Sequence, residues 1–292
     1  MSRHLLLQAC ALHKLRVHFG DVSSAFLQTS ASEEHQELTI KAPPEVGYLF
    51  SDSEGKPARY VRLMKSFYGL TSAHRAWWLE ITQKLSQLGW KPMSTDQCLW
   101  CRYSDVGELK GVIGIHVDDF LIGLADGILG EKWMSEIKSL YRWGSWKVSE
   151  SEFAGIRVRQ HRGFSITVDL EDYTNKFITE APITRERSRQ RQESLTAQEL
   201  SMLRGVLGTA SWRAQQMSPQ FAADVSLLLS ATADPVVQDL LDANKLVRDM
   251  RRSSAQSLHF HSFNETPWQQ LVFASWADAS DRPRGLGQEV KW

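Results

Sequence analysis

Two adjacent aspartates set between apolar runs, Gly114-Ile-His-Val-Asp118-Asp119-Phe-Leu-Ile-Gly123, limit what this chain can fold into more than any other stretch of it. The flanking runs, 110–117 and 120–124, favour β-strands, so the segment reads as a hairpin whose tight turn holds both carboxylates at a sheet edge. Neighbouring anions repel, and the arrangement costs stability unless a cation compensates. Hard oxygen ligands suit magnesium. A solvated Asp-Asp turn is the plainer reading, and such turns are common. Asp21, in Phe19-Gly-Asp21-Val-Ser-Ser-Ala-Phe26, adds weight to the metal reading, because it stands at a strand end just before a helical start. Laid beside the hairpin, that strand would aim Asp21 and Asp118 at one point, and paired sites of this kind hold two metals about 4 Å apart.

Around these acids the pattern predicts a helix tail running into a short strand over 2–18, a helix start within 23–30, and turn-rich connectors at 42–47 and 51–57. A strand is expected at 60–64, a Gly-containing turn at 66–72, and a helix over 73–89. There Ala76, Trp77, Ile81, Leu85 and Leu88 recur at helical spacing and Gly89 closes the element. Residues 97–103 read as a partner strand for 110–117. A helix follows at 130–141, then a hairpin from 153–158 and 164–168, then a short helix at 170–178. Composition turns polar and Arg/Gln-rich over 182–194, which reads as an exposed linker and domain boundary. Three helical patterns come next, 197–216, 220–230 and 235–252, with Pro219 and Pro235 where helix-first prolines belong. The tail at 258–263 and 270–275 looks like two strands. The order is mixed α/β, then all-α, then β again.

Bulk numbers narrow the function classes only a little. The 34 Lys and Arg balance the 34 Asp and Glu, which argues against a small binder that works by bulk positive charge. It leaves room for an enzyme with carboxylates on one face and a separate basic lining; basic residues cluster at Arg185, Arg187, Arg189 and Arg191, and again at Lys245, Arg248, Arg251 and Arg252. Three cysteines, Cys10, Cys98 and Cys101, build no disulfide framework, and the Cys98–Cys101 pair lacks the second pair that a tetrahedral zinc site needs. No run of some eighteen apolar residues exists to span a membrane, and the first eleven residues are too short and weakly patterned for a secretory signal. The expected setting is intracellular, in a cytoplasmic particle or the nucleus.

Four ordered blocks then reach a family. Asp21-Val-Ser-Ser-Ala-Phe26, Leu63-Met-Lys-Ser-Phe-Tyr-Gly-Leu70, Ala73-His-Arg-Ala-Trp-Trp78 and His116-Val-Asp-Asp119 resemble successive motifs of the reverse transcriptase domain of copia-type LTR retrotransposon Pol polyproteins. The intervals between them are similar too, and the resemblance runs over roughly residues 5–278. It implies an α+β fold: a polymerase palm, built as an antiparallel sheet with packed helices, followed by an all-α thumb and the start of a ribonuclease H-like α/β domain. The implied organisation is truncated fingers and palm over 1–181, a linker at 182–195, a helical thumb or connection over 196–256, and the truncated start of the ribonuclease H-like domain over 257–292. The implied activity is RNA-directed DNA polymerisation by two-metal nucleotidyl transfer to a primer 3′-hydroxyl, using two Mg2+ ions, with Mn2+ as the substitute. Template-primer of RNA or DNA and dNTPs would be its substrates, and integrase, which carries out DNA integration, and ribonuclease H its companion Pol segments, with no membrane partner.

Matched position by position, the resemblance makes Asp21, Asp118 and Asp119 the catalytic carboxylates, Asp21 and Asp118 as direct metal ligands and Asp119 in electrostatic support. Val22 matches the residue whose carbonyl helps hold the nucleotide's metal. Phe26 matches the aromatic gate beneath the incoming sugar; from the residues alone it reads as core packing. Tyr68 and Gly69 fall in the loop that touches nucleotide and template. Lys65 and Arg75 read either as phosphate contacts or as plain surface charges. Phe153-Ala-Gly-Ile-Arg-Val158 resembles the primer-grip strand, and Leu203-Arg-Gly-Val-Leu-Gly-Thr-Ala-Ser211 a thumb helix. Asp278, in Trp276-Ala-Asp278, matches the first metal carboxylate of ribonuclease H.

The chain departs from the pattern where the family's K-Q-A-P-R is Thr71-Ser-Ala-His74-Arg75, losing a rigid proline, and where the tyrosine before V-D-D is His116. Both positions line the expected template-primer surface. The family's upstream finger segment, with its basic grip on the triphosphate, is expected to be missing, and ribonuclease activity is not expected. Two other readings stay open: a catalytically inactive or domesticated remnant that binds nucleic acid, and another palm-type enzyme such as a nucleotide cyclase, for which the thumb-like helices and the Asp278 segment offer no support.

Overall fold

Strand β1 (Leu15–Val22) alternates as a strand with two differently covered faces must. Leu15, Val17 and Phe19 are buried, while Arg16 and His18 between them are only partly covered. Helix α1 (Ser2–Leu12) lays Leu6, Leu7, Cys10 and Ala11 onto the buried face, and Lys14, in the left-handed region at φ 52°, turns the helix end into the strand. In the computed structural model, residues 2–30, 38–43, 49–50, 55–263, 270 and 272 are described.

β1 lies inside a six-stranded sheet of order β4-β5-β6-β7-β1-β8. Its other members are β4 (Lys91–Pro92), β5 (Leu99–Tyr103), β6 (Leu109–His116), β7 (Asp119–Ala125) and β8 (Trp143–Val148), and every neighbouring pair is antiparallel. β6 and β7 are apolar on both faces because both are covered. One face carries α2 (Ala73–Gln87) and α3 (Ile128–Ser139), which bury Trp77, Ile81, Leu85, Trp133 and Ile137 against Ile113, Ile115, Phe120 and Ile122. The other face carries α1 and a second sheet, meeting Val112 and Leu121. A fully buried side chain of this size contributes about 1.5–3 kcal/mol, so the doubly covered hairpin is among the best-anchored parts of the chain.

The second sheet has four strands in the order β12-β11-β10-β9: β9 (Glu150–Phe153), β10 (Ile156–Gln160), β11 (Ile166–Asp169) and β12 (Ser257–Phe260). Gln160, nearly buried, joins the two sheets: its Nε2 donates to the Leu15 carbonyl at 2.8 Å, and the Val17 N–H donates to its Oε1 at 2.9 Å. Among the described residues, two shorter strands, β2 (Thr39–Lys41) and β3 (Tyr60–Arg62), pair only with each other.

Beyond α4 (Glu171–Phe177), helices α5 (Ala197–Gln216), α6 (Ala222–Ser230) and α7 (Val237–Arg252) enclose a core of their own from Leu203, Leu207, Ala210, Leu240, Val247 and Met250. α5 opens on a capping box: Thr196 Oγ1 accepts from the Glu199 N–H at 3.2 Å while Glu199 accepts from the Thr196 N–H at 2.8 Å. Within 182–195, Arg187 pairs with Glu199 at 2.9 Å and Glu193 at 2.8 Å, and Leu195 N–H donates to the Pro235 carbonyl at 3.1 Å. By its contacts the chain divides into Met1–Ser262 and Phe263–Trp292. The expected strand at 270–275 falls in the latter, and apart from residues 270 and 272 it lies outside the described residues, as does Asp278.

Several elements differ from the sequence reading for identifiable reasons. The helix expected in 23–30 is a single 3-10 turn, Ala25–Gln28, because Ser24 before it is left-handed (φ 52°) and Thr29 after it is extended. The strand expected at 153–158 is two strands, broken at Ala154-Gly155, both of positive φ. β8 has no counterpart in the expectations, since its Gly144 and Ser145 break any alternating pattern.

Candidate active site

Antiparallel register brings the acids together. Asp21 of β1 lies opposite Asp119 of β7, Asp119 lies opposite His116 of β6, and Asp21 lies opposite Ser145 of β8, so four neighbouring strands contribute one row. Side chains directly opposite on a pleated sheet share a face, with Cβ atoms about 4.5–5.5 Å apart. Alternation from Phe19 and Leu121 puts this row on the face opposite the one that α2 and α3 cover. Pairing of His116 with Asp119 leaves a two-residue turn, Val117-Asp118. The Val22 N–H donates to the Asp118 carbonyl at 3.0 Å, tying the turn to β1, whose register shifts between Asp21 and Val22.

Crowded carboxylates leave an electrostatic mark. Asp119 has its pKa raised above the ordinary carboxylate value, first by burial and then by the charges of Asp118, Asp21 and Glu152, with His116 acting the other way. Space beside Asp21 is kept by Gly144, where a Cβ would sit 2.7 Å from the Asp21 Oδ2. Gly20 serves close packing on the opposite side, since a Cβ there would lie 2.6 Å from the Trp143 ring and 2.8 Å from that of Trp146. Among the described residues, no group of three or more His, Cys, Asp or Glu side chains is drawn together closely enough to hold a metal ion. The donor set fits magnesium all the same, because that ion is commonly held by one or two carboxylates and completes its octahedron with water and substrate phosphates.

A family model described as reverse transcriptase (RNA-dependent DNA polymerase) matches residues 2–191, about two-thirds of the chain. The chain belongs to the reverse transcriptase family. A Saccharomyces cerevisiae protein named for transposon Ty5-1 is 24% identical over 286 residues, covering 92% of this chain and 87% of that protein. The retrovirus-related Pol polyprotein from transposon RE2 of Arabidopsis thaliana is 32% identical over 109 residues, 37% of this chain and 7% of that polyprotein. These likenesses place this reverse transcriptase chain with the copia-type LTR retrotransposons.

The remaining residues expected in a reverse transcriptase site fall into two groups. Phe26 is buried and takes edge-on contacts from Tyr68, at 4.9 Å between ring centroids, and from His74, at 4.8 Å. Thus His74, which replaces the family's proline, supports the ring expected to act as the gate. Gly69, beside Tyr68, adopts φ 93°, a conformation open to glycine. Lys65 and Arg75 are exposed on the loop and on the first turn of α2, and His116 is exposed at the end of β6. Val22 has its side chain buried among the residues beneath α2 and α3.

Sequence reasoning missed three contributors: Gly144, Glu152 and Trp77. The indole Nε1 of Trp77 donates to the Val117 carbonyl at 2.7 Å. Spacing along α2 announces Trp77 only as a core residue, and no pattern in the chain signals that its N–H reaches the acidic turn. Among the described residues, no helix is long and apolar enough to cross a membrane.

Proposed function

We propose that the chain is the polymerising part of the reverse transcriptase, adding dNTPs to a primer 3′-hydroxyl on an RNA or DNA template by two-metal nucleotidyl transfer. The observation that carries the reading is the register of β1 against β7, which puts Asp21 opposite Asp119 with Asp118 in the adjoining turn. In this reading the six-stranded sheet with α2 and α3 is the palm, and α5, α6 and α7 form the thumb. Residues from 257 onward lead into ribonuclease H, with Asp278 its first carboxylate.

Asp21 and Asp118 would hold Mg2+, or Mn2+ in its place, aided by the Val22 carbonyl, while Asp119 adjusts the local charge. When bound, the pair of ions lowers the pKa of the primer hydroxyl and stabilises the pyrophosphate leaving group. Phe26, backed by Tyr68 and His74, would lie beneath the sugar and reject a 2′-hydroxyl. Tyr68 and Gly69 would meet the nucleotide and template. Lys65, Arg75 and His116, all exposed, would contact the nucleic-acid backbone. Transfer at phosphorus needs positioning and charge stabilisation and no covalent enzyme intermediate, which suits a site built from acids on rigid strands.

Primer extension with magnesium, on this chain and on a form extended upstream, tests the proposal beside Asp118→Ala. Product from the unsubstituted protein and its loss by several orders of magnitude in Asp118→Ala is the expected outcome. Equal product from both proteins would remove Asp118 from the chemistry. Retained template-primer binding without extension in any form would identify an inactive, nucleic-acid-binding descendant instead.

A further inference from the structure

We infer that Trp77 is a positioning residue for the carboxylate turn: its indole N–H, by holding the Val117 carbonyl, sets where Asp118 and Asp119 stand against Asp21. The inference rests on the polymerase reading of the same site and adds a residue whose role lies behind the sheet.

Val117 is the starting point. It is β-branched, yet its φ is +58°, in the left-handed region that disfavours such side chains. A two-residue hairpin turn calls for positive φ at its first position, where glycine or asparagine is the usual occupant. Burial does not explain the conformation, because the valine is 42% exposed. What holds the turn is a set of backbone attachments. His116 and Asp119 pair across its base, the Asp118 carbonyl accepts from the Val22 N–H at 3.0 Å, and the Val117 carbonyl accepts from Trp77 Nε1 at 2.7 Å. Both carbonyls of the turn are therefore anchored, one to the strand that carries Asp21 and the other to α2.

Trp77 is suited to the task. It is 3% exposed, and its ring packs on Tyr141 with centroids 4.8 Å apart, so the indole is fixed in place before it meets the turn. Packing alone would be satisfied by a ring with no donor, as the equally buried indoles of Trp90 and Trp100 show, whose N–H groups meet no acceptor among the described residues; the Trp77 N–H does meet one, the carbonyl next to Asp118. Trp77 approaches from the face covered by α2, opposite the row of acids, so it acts on the chemistry through the turn and touches no substrate. Without this bond the turn has a way to relax toward a less strained conformation, carrying the carboxylates with it. A displacement of about 1 Å in a reacting group can cost a hundredfold in rate.

The test deletes the N–H and keeps the ring. Trp77 is replaced site-specifically by benzothienylalanine, in which sulfur stands for the indole N–H, and in parallel by Trp77→Phe. Three quantities are measured: kcat and KM in primer extension, Mn2+ affinity by titration, and deuterium uptake of the peptide covering 114–123. In the benzothienyl protein the expected result is kcat down by about tenfold to a hundredfold, a KM for dNTP that moves much less, weaker Mn2+ binding and faster exchange in the turn. Its thermal midpoint should stay near that of the unsubstituted protein, even where Trp77→Phe loses stability. Unchanged kcat and unchanged exchange in the benzothienyl protein would overturn the inference. Should neither the unsubstituted chain nor its upstream-extended form extend primers, the polymerase reading falls, while exchange in the turn and Mn2+ affinity still decide the role of Trp77.

Discussion

Asp119 sits where its own charge is opposed by burial and by Asp118, Asp21 and Glu152. Its folded-state pKa lies above the unfolded value, so the folded protein binds the proton more tightly. The stability that this provides is complete below the ordinary aspartate range, near pH 4, and is lost as pH rises through the folded value. Asp119→Asn should therefore melt at a higher temperature than the parent at pH 7, with the gap narrowing as pH falls toward 4. Magnesium should raise the parent midpoint more than that of the variant. Melting curves at several pH values, with and without the ion, check both statements; a parent more stable than the variant at pH 7 would reverse the assigned electrostatics. That Asp21 and the Asp118–Asp119 turn would meet was legible in the sequence, because apolar strand patterns place the one at a strand end and the other between two strands. Trp77 was not, because the chain has 11 tryptophans and helical spacing marks this one only as core.

Helix α5 depends on its first turn. Thr196 and Glu199 exchange hydrogen bonds there, and Arg187 sits on the same carboxylate with Nε and Nη2 both at 2.9 Å. These contacts hold the Glu199 pKa down at about 2, with the Arg187 hydrogen bond the largest cause. A depressed carboxylate pKa contributes stability that is present above the unfolded value, roughly 4.3, and lost as pH falls toward the folded one. Thr196→Ala should cost about 1 kcal/mol at neutral pH through the lost cap, and the cost should shrink as acid protonates Glu199. Urea unfolding at pH 7 and at pH 2 measures the difference, and an equal cost at both would separate the cap from the ion pair. The helical pattern over 197–216 was readable from its apolar spacing, whereas the capping box of Thr196 and Glu199 emerged only with the structure. β8 was hidden, because it earns its place by pairing with β1 and not by any alternation of its own.

At the scale of the whole molecule, Gln160 carries a disproportionate part in joining the sheets. Gln160→Leu would leave the Leu15 carbonyl and the Val17 N–H buried without their partner, at about 1–3 kcal/mol for each stranded group. A clear fall in midpoint by calorimetry is expected, larger than for a substitution at the exposed neighbour His161. Nothing along the chain foretells that contact, since residues 15 and 160 meet only after both sheets exist; hydrophobic patterning announces strands and leaves their polar joints unstated. The strand pairing has a further consequence. The acids are aligned through β1, β6 and β7, whereas among the described residues β2 and β3 pair as strands with each other alone. Lengthening or shortening that pair leaves the β1–β7 register untouched, so the gap between Asp21 and Asp119 keeps its dimensions while β2 and β3 vary.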